Sequence, residues 1–161
     1  MIIVLISNNK EEYLTIPNEA IRVRVIANSN SEYDLKIKEE LKDKLNNELN
    51  ILLEKTTNID DARTIINNNL NYINNFVDKN LKELQYNNSF SINYGLNYFP
   101  EKVFKGVLYN SGLYESLLIT LGEGKGSNYW CVLYPPLCSI DNNKVEKEYR
   151  SFIKDLINEC L

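Results

Sequence analysis

The sequence predicts an α+β domain: a mainly antiparallel sheet with a long αα-hairpin and a C-terminal helix. Three observations carry this. One strand-like run precedes two long helical runs. Three or four strand-like runs then follow with no helix between them. A last segment, apolar at helical spacing, closes the chain. The 161 residues suit one domain. A chain of this size buries roughly 70% of its extended surface and needs no metal or staple for a core.

Residues 1–6 read MIIVLI. They are too short to cross a bilayer and lack the basic flank of a signal peptide. Two readings stay open, an edge strand or the end of a longer membrane segment. Residues 8–18 are polar, contain Pro17 and read as a loop. Residues 1–16 are therefore an N-terminal segment, and 17–161 are the domain. Residues 20–27 (AIRVRVIA) alternate as a strand. Ile21, Val23 and Val25 share one face, with Arg22, Arg24 and Ile26 on the other. The two arginines read first as a solvated strand face. The second reading is a pair of cations offered to a carboxylate.

Residues 28–31 (NSNS) end that strand. Ser29 with Glu32 three residues on predicts a capping box, and a helix follows to residue 55. Ile37, Leu41, Leu45, Leu49, Leu52 and Leu53 form its apolar stripe. Asn58 caps a second helix, with Asp60 and Asp61 in its first turn. The buried face of that helix runs from Ala62 to Leu84, with the Asn67-Asn68-Asn69 run on its solvent side. Two amphipathic helices with a short joint make the αα-hairpin.

Residues 89–98 alternate as a strand, with Phe90, Ile92, Tyr94, Leu96 and Tyr98 on one side, and Pro100 ends it. Residues 103–109 form a weaker strand. Strands at 115–121 and 129–134 flank Gly122, Gly124 and Gly126, and Pro135 and Pro136 stop the second. This predicts a β-hairpin with a glycine-rich tip, where a partner would be met. Residues 144–161 carry the helical spacing of the C-terminal helix.

Several function classes drop out. The chain has no His, which removes Ser-His-Asp and Cys-His nucleophile systems and HExxH zinc sites. A net charge of −4 argues against nucleic acid as a partner. The glycine loop is not a P-loop, because Ile119 stands where the first glycine belongs and Gly126 follows Lys125. Nor is it a dinucleotide fingerprint, since it joins two strands. A nest of N–H groups holding an anion is the remaining phosphate reading. Glu123 and Lys125 at the tip read as recognition residues. Asp60 and Asp61 point apart on a helix and serve its dipole rather than catalysis. With no nucleophile–base pair visible, no catalytic residue, cofactor or metal is expected. Cys131 and Cys138 flank the proline bend, which leaves either a disulfide or two reduced thiols, with Cys160 left over. Tyr94, Tyr98, Tyr109, Tyr114, Tyr129, Trp130 and Tyr134 either fill a core or offer a stacking surface.

Residues 20–31 (AIRVRVIANSNS), Phe99-Pro100-Glu101-Lys102, Tyr114-Glu115 and residues 122–138 (GEGKGSNYWCVLYPPLC) together resemble the stage II sporulation protein R family. The similarity runs from Pro17 through nearly the whole chain. It implies a non-enzymatic signalling protein of endospore formers, secreted between the forespore and mother-cell membranes. There it would activate a membrane-embedded aspartic protease from the extracytoplasmic side, leading to processing of a mother-cell sigma factor precursor. Secretion fits a Cys131–Cys138 disulfide. The residues carried over as partner-binding are Arg22, Arg24, Asn28 and Ser29, then Gly122 to Gly126, Trp130, Pro135 and Pro136. Two departures stand out. Asn30 takes a place where the family often has Asp, and the export segment is absent or cut to residues 1–6, so contact with a membrane would come only through that segment. A second hypothesis from another class is an extracytoplasmic ligand- or cell-wall-binding domain. It requires a pocket lined by Tyr94, Tyr98, Tyr129 or Trp130.

Overall fold

The structure is a computed structural model that describes residues 14–15, 19–104 and 107–135. Seven strands and three helices are described. They are β1 (Leu14–Thr15), β2 (Ile21–Ile26), α1 (Glu32–Leu53), α2 (Ile59–Asn68), α3 (Leu70–Glu83), β3 (Phe90–Phe99), β4 (Lys102–Phe104), β5 (Val107–Tyr109), β6 (Gly112–Leu121) and β7 (Asn128–Tyr134). The segments predicted as an N-terminal run at 1–6 and as a C-terminal helix at 144–161 lie outside the described residues.

The α+β class holds, with one change in topology. The main sheet has the order β3-β6-β2-β7. β2 pairs parallel with β6 and antiparallel with β7, while β3 and β6 pair antiparallel over their full length. The sheet is therefore mixed. The expected hairpin between residues 115–121 and 129–134 does not form, because β2 inserts between β6 and β7. Neighbours in sequence are usually neighbours in a sheet, but not always. Here a strand from before the helices has the more apolar face, and it takes the centre: Ile21, Val23 and Val25 are fully buried. β1, β5 and β4 make a separate small sheet, so part of the predicted 8–18 loop is strand.

The helices cover one face of the main sheet. Ile37, Leu41, Leu45 and Leu49 of α1, Ala62 and Ile66 of α2, and Ile73, Val77 and Leu81 of α3 pack on Val23, Val25, Leu117, Ile119 and Leu121. Each such aliphatic side chain contributes about 2 kcal/mol by leaving water. The N-cap of α1 is Ser31, not Ser29. Its hydroxyl accepts from the Asp34 amide, while Ser29 is drawn to the Asp34 carboxylate. The predicted second helix is broken at Asn69, whose side-chain amide donates to the Ile65 carbonyl at 2.8 Å. That bond competes with the backbone ladder, as short amide side chains do. The hairpin arm is thus two helices. Among the described residues, no helix is long and apolar enough to cross a membrane.

Candidate functional site

The glycine-rich connection between β6 and β7 arches over the end of β2 and locks onto the turn after it. Every amide N–H from Gly122 to Ser127 has an acceptor. Gly122 donates to the Ser89 carbonyl, Gly124 to Leu121, Lys125 to Asn28 and Gly126 to Ala27. Glu123 donates to Asn28 Oδ1 and Ser127 to Asn30 Oδ1. With all six donors engaged inside the chain, the loop is not an anion nest. The glycines are set by close approach and backbone sign. A Cβ on Gly126 would lie 2.3 Å from the Ser29 carbonyl oxygen. Gly124 has φ +63° with Thr120 against it.

The turn is held in its own right. Asn28 Nδ2 and Ser29 Oγ both donate to Asp34 Oδ2, at 2.9 and 2.6 Å. The bond from Ser29 leads the causes that hold the Asp34 carboxyl below the ordinary aspartate value, over the opposing effect of burial. Lys38, buried on α1, donates to Ser127 Oγ at 2.8 Å. Asn28, Ser29 and the three glycines are therefore parts of one clasp joining β2, α1, β6 and β7. Asn30 serves here through an oxygen acceptor, which an aspartate also has. Only Glu123 and Lys125 project from the clasp, exposed and paired with each other at 2.5 Å.

The sheet face away from the helices carries the other candidates. Arg22 stands opposite Ser116 and Val132, and Arg24 opposite Leu118 and Trp130. The solvated strand face expected for both arginines is not what forms at Arg22, which is 2% exposed. Its guanidinium carbon sits 3.7 Å from the Tyr114 ring centroid, 4.9 Å from Phe99 and 5.6 Å from Tyr109. Three rings attract a cation through their faces. Burial lowers the Arg22 pKa from its ordinary value, and Tyr114 and Tyr109 oppose that. Its Nε and Nη2 are buried with no hydrogen-bond partner among the described residues.

Arg24 is half-buried. It donates from Nε to Asn128 Oδ1 at 3.3 Å and from Nη1 to the Tyr98 carbonyl at 3.4 Å. Trp130 packs edge-on to Phe99 at 5.7 Å, with the Arg24 guanidinium and Lys102 ammonium 5.8 and 5.1 Å from its ring. The Trp130 indole N–H is also buried without a partner. Phe99 thus links Arg22, Arg24 and Trp130, and it was not singled out as a site residue. The signal was Phe99-Pro100-Glu101-Lys102, which carries part of the family resemblance but by itself reads as the end of a strand.

A second arrangement joins Tyr94 and Glu115, each visible in the sequence, to Arg63, which sequence reasoning did not single out. Arg63 of α2 grips Glu115 of β6 through its Nε/Nη2 edge, with Nη2 to Oε2 at 2.8 Å and Nε to Oε1 at 2.9 Å. Tyr94 donates to the same carboxylate at 2.5 Å. Burial pushes the Glu115 carboxyl up, but the bonds from Arg63 and Tyr94 outweigh it and leave the pKa lowered. Burial, then that bond, pushes Tyr94 well up. The group borders a cleft of about 420 Å³ lined by Glu19, Ile59, Asp60, Leu96 and Leu113. None of the tyrosines or the tryptophan required by the glycan-pocket hypothesis lines this cleft. Tyr94 and Tyr129 instead pack against the core.

Cys131 lies half-buried on β7. Cys138 and Pro136 lie outside the described residues, while Pro135 is buried after a cis peptide bond at Tyr134.

A family model described as Stage II sporulation protein R matches residues 17–144. Stage II sporulation protein R of Bacillus subtilis (strain 168) is 37% identical over 142 residues, which is 87% of this chain and 63% of the relative. The chain therefore spans less than two thirds of that relative's length. No solved structure matches the chain. The family is a sporulation family and not a known enzyme family. The interlocked clasp, the aromatic–arginine face and the Arg63–Glu115 grip all fall inside the matched span, and the chain belongs to the stage II sporulation protein R family.

Proposed function

We propose that this domain is a secreted signal of sporulation that works by contact. It acts between the forespore and mother-cell membranes on the extracytoplasmic face of a membrane-embedded aspartic protease. Binding biases the protease toward its active arrangement, and a sigma factor precursor is then processed. A ligand shifts such an equilibrium only by binding the active state more tightly.

The observation that carries this reading is the sheet face away from the helices. It presents Arg24, Lys102 and Trp130 together. Arginine, tryptophan and tyrosine are the residues that dominate binding energy at protein interfaces. The exposed Glu123–Lys125 pair at the tip of the clasp, toward the other end of β2, offers a second point of contact. A disulfide between Cys131 and Cys138 is part of the proposal. Such a bond suits an oxidising compartment.

The test is co-expression of the domain with protease and sigma precursor, reading precursor cleavage. Arg24→Glu is expected to reduce cleavage by about tenfold or more while the domain keeps its melting temperature. Unchanged cleavage with a folded Arg24→Glu domain rejects this face as the contact surface.

A further inference from the structure

The Arg22–Trp130 region holds three buried side-chain donors with no acceptor: Nε and Nη2 of Arg22 and Nε1 of Trp130. Buried donors are normally satisfied, and leaving one dry costs as much as a lost hydrogen bond. A buried guanidinium without a counter-charge costs more. Phe99 lies between the two side chains, 4.9 Å from the Arg22 guanidinium carbon and 5.7 Å from the Trp130 ring.

The chain itself shows what this arginine edge takes. At Arg63 the same two nitrogens, Nε and Nη2, hold the two oxygens of Glu115 side by side. That edge matches a carboxylate in spacing and plane. At Arg22 the same two nitrogens are buried with no acceptor among the described residues. The rings of Tyr114, Phe99 and Tyr109 lie against the guanidinium, 3.7 to 5.6 Å from its carbon, and supply no hydrogen-bond acceptor to Nε or Nη2.

We infer that Arg22, with the Trp130 indole N–H, is the receptor for a carboxylate carried on an acidic side chain of the protein partner. Arg24, two residues along the same face and half-exposed, draws the group in. Arg22 then receives it where water is excluded. The surroundings favour a protein over a free metabolite, because arginine and tryptophan, with Arg24 half-exposed beside them, are the residues that dominate protein interfaces. This inference rests on the contact reading proposed above and names the chemistry at its centre. An ion pair formed in a dry site gives a strong preference for the one partner arrangement that delivers the carboxylate.

The first measurement needs no partner. The Arg22 Nε–H resonance is followed by NMR on the purified domain while sodium formate, then a Gly-Glu-Gly peptide, is added against sodium chloride of equal ionic strength. A saturable shift with both carboxylates, absent with chloride and absent in Arg22→Lys, supports the site. No shift, or an equal shift with chloride, overturns it. The second measurement is precursor cleavage on co-expression. Arg22→Met and Arg22→Lys are each expected to reduce cleavage by about tenfold, and Trp130→Phe by less, with melting temperatures at or above wild type. A folded Arg22→Met domain that supports wild-type cleavage overturns the inference even where Arg24→Glu abolishes it, and the contact reading then stands alone. If the wild-type domain drives no cleavage at all, the contact reading falls, and the carboxylate site is decided by the titration.

Discussion

The clasp and the aromatic–arginine face lie at opposite ends of β2, and they treat hydrogen bonding in opposite ways. In the clasp six successive amides, two asparagines, a serine, an aspartate and a lysine all have partners within the chain. At the other end, three buried side-chain donors have none. Both regions lie within the span that the family model matches. The difference teaches that a shared sequence signature mixes two demands. Gly126 and Asn28 are where they are because the fold closes only with them. Arg22 sits at a cost to the isolated domain, and a residue kept at a cost points outward.

Substitutions sharpen that contrast. The largest effect is expected at Gly126. A Cβ there meets the Ser29 backbone 2.3 Å away, so Gly126→Ala should lose about 3 kcal/mol in urea unfolding. Gly95→Ala is the control, since its Cβ would meet only Asn93 Oδ1 at 3.8 Å. Equal stability of the two variants would break the description of the clasp.

Asp34 comes next. Asp34→Ala strips the acceptor from Asn28 and Ser29 and should cost about 2 kcal/mol. Its folded pKa lies below the ordinary value of 3.8. The stability it contributes is thus present above the unfolded pKa and is lost as pH falls through the lower, folded one. Wild type should lose more stability on acidification below pH 3.8 than Asp34→Asn does. A steeper acid loss in Asp34→Asn would reverse the assignment.

Arg22→Met should move the other way. Replacing an unpaired buried cation by an apolar chain of similar length is expected to stabilise the isolated domain by about 1 kcal/mol. A loss as large as that at Gly126 would show that the three rings alone satisfy the guanidinium, and the two ends of β2 would then be alike. The smallest effect is expected at the tip. Glu123→Ala with Lys125→Ala removes an exposed pair and should change stability by no more than about 0.5 kcal/mol.

Much of the local structure was legible. The alternation of residues 20–27 placed Ile21, Val23 and Val25 in the core, and the stripe Ile37–Leu41–Leu45–Leu49 placed α1. Asn58 caps α2 through its side chain, as its position foretold. The glycine loop and the asparagine turn were both visible as candidates, but their union was not. They are separated by roughly ninety positions, and nothing local couples Gly126 to Ser29. The Arg63–Glu115 grip was missed for the same reason: a helix residue and a strand residue meet only once α2 lies on the sheet.

What the sequence determined alone was governed by neighbours within a turn or two: strand alternation, helix stripes, the Asn58 cap, and the exclusion of histidine chemistry. Only the tertiary structure decided that β2 separates β6 from β7, that the glycines close on the asparagine turn, and that Arg22 is sealed among three rings. Those outcomes depend on which apolar faces win the centre of the sheet. That competition is settled by total burial across the whole chain, and no short stretch of residues contains it.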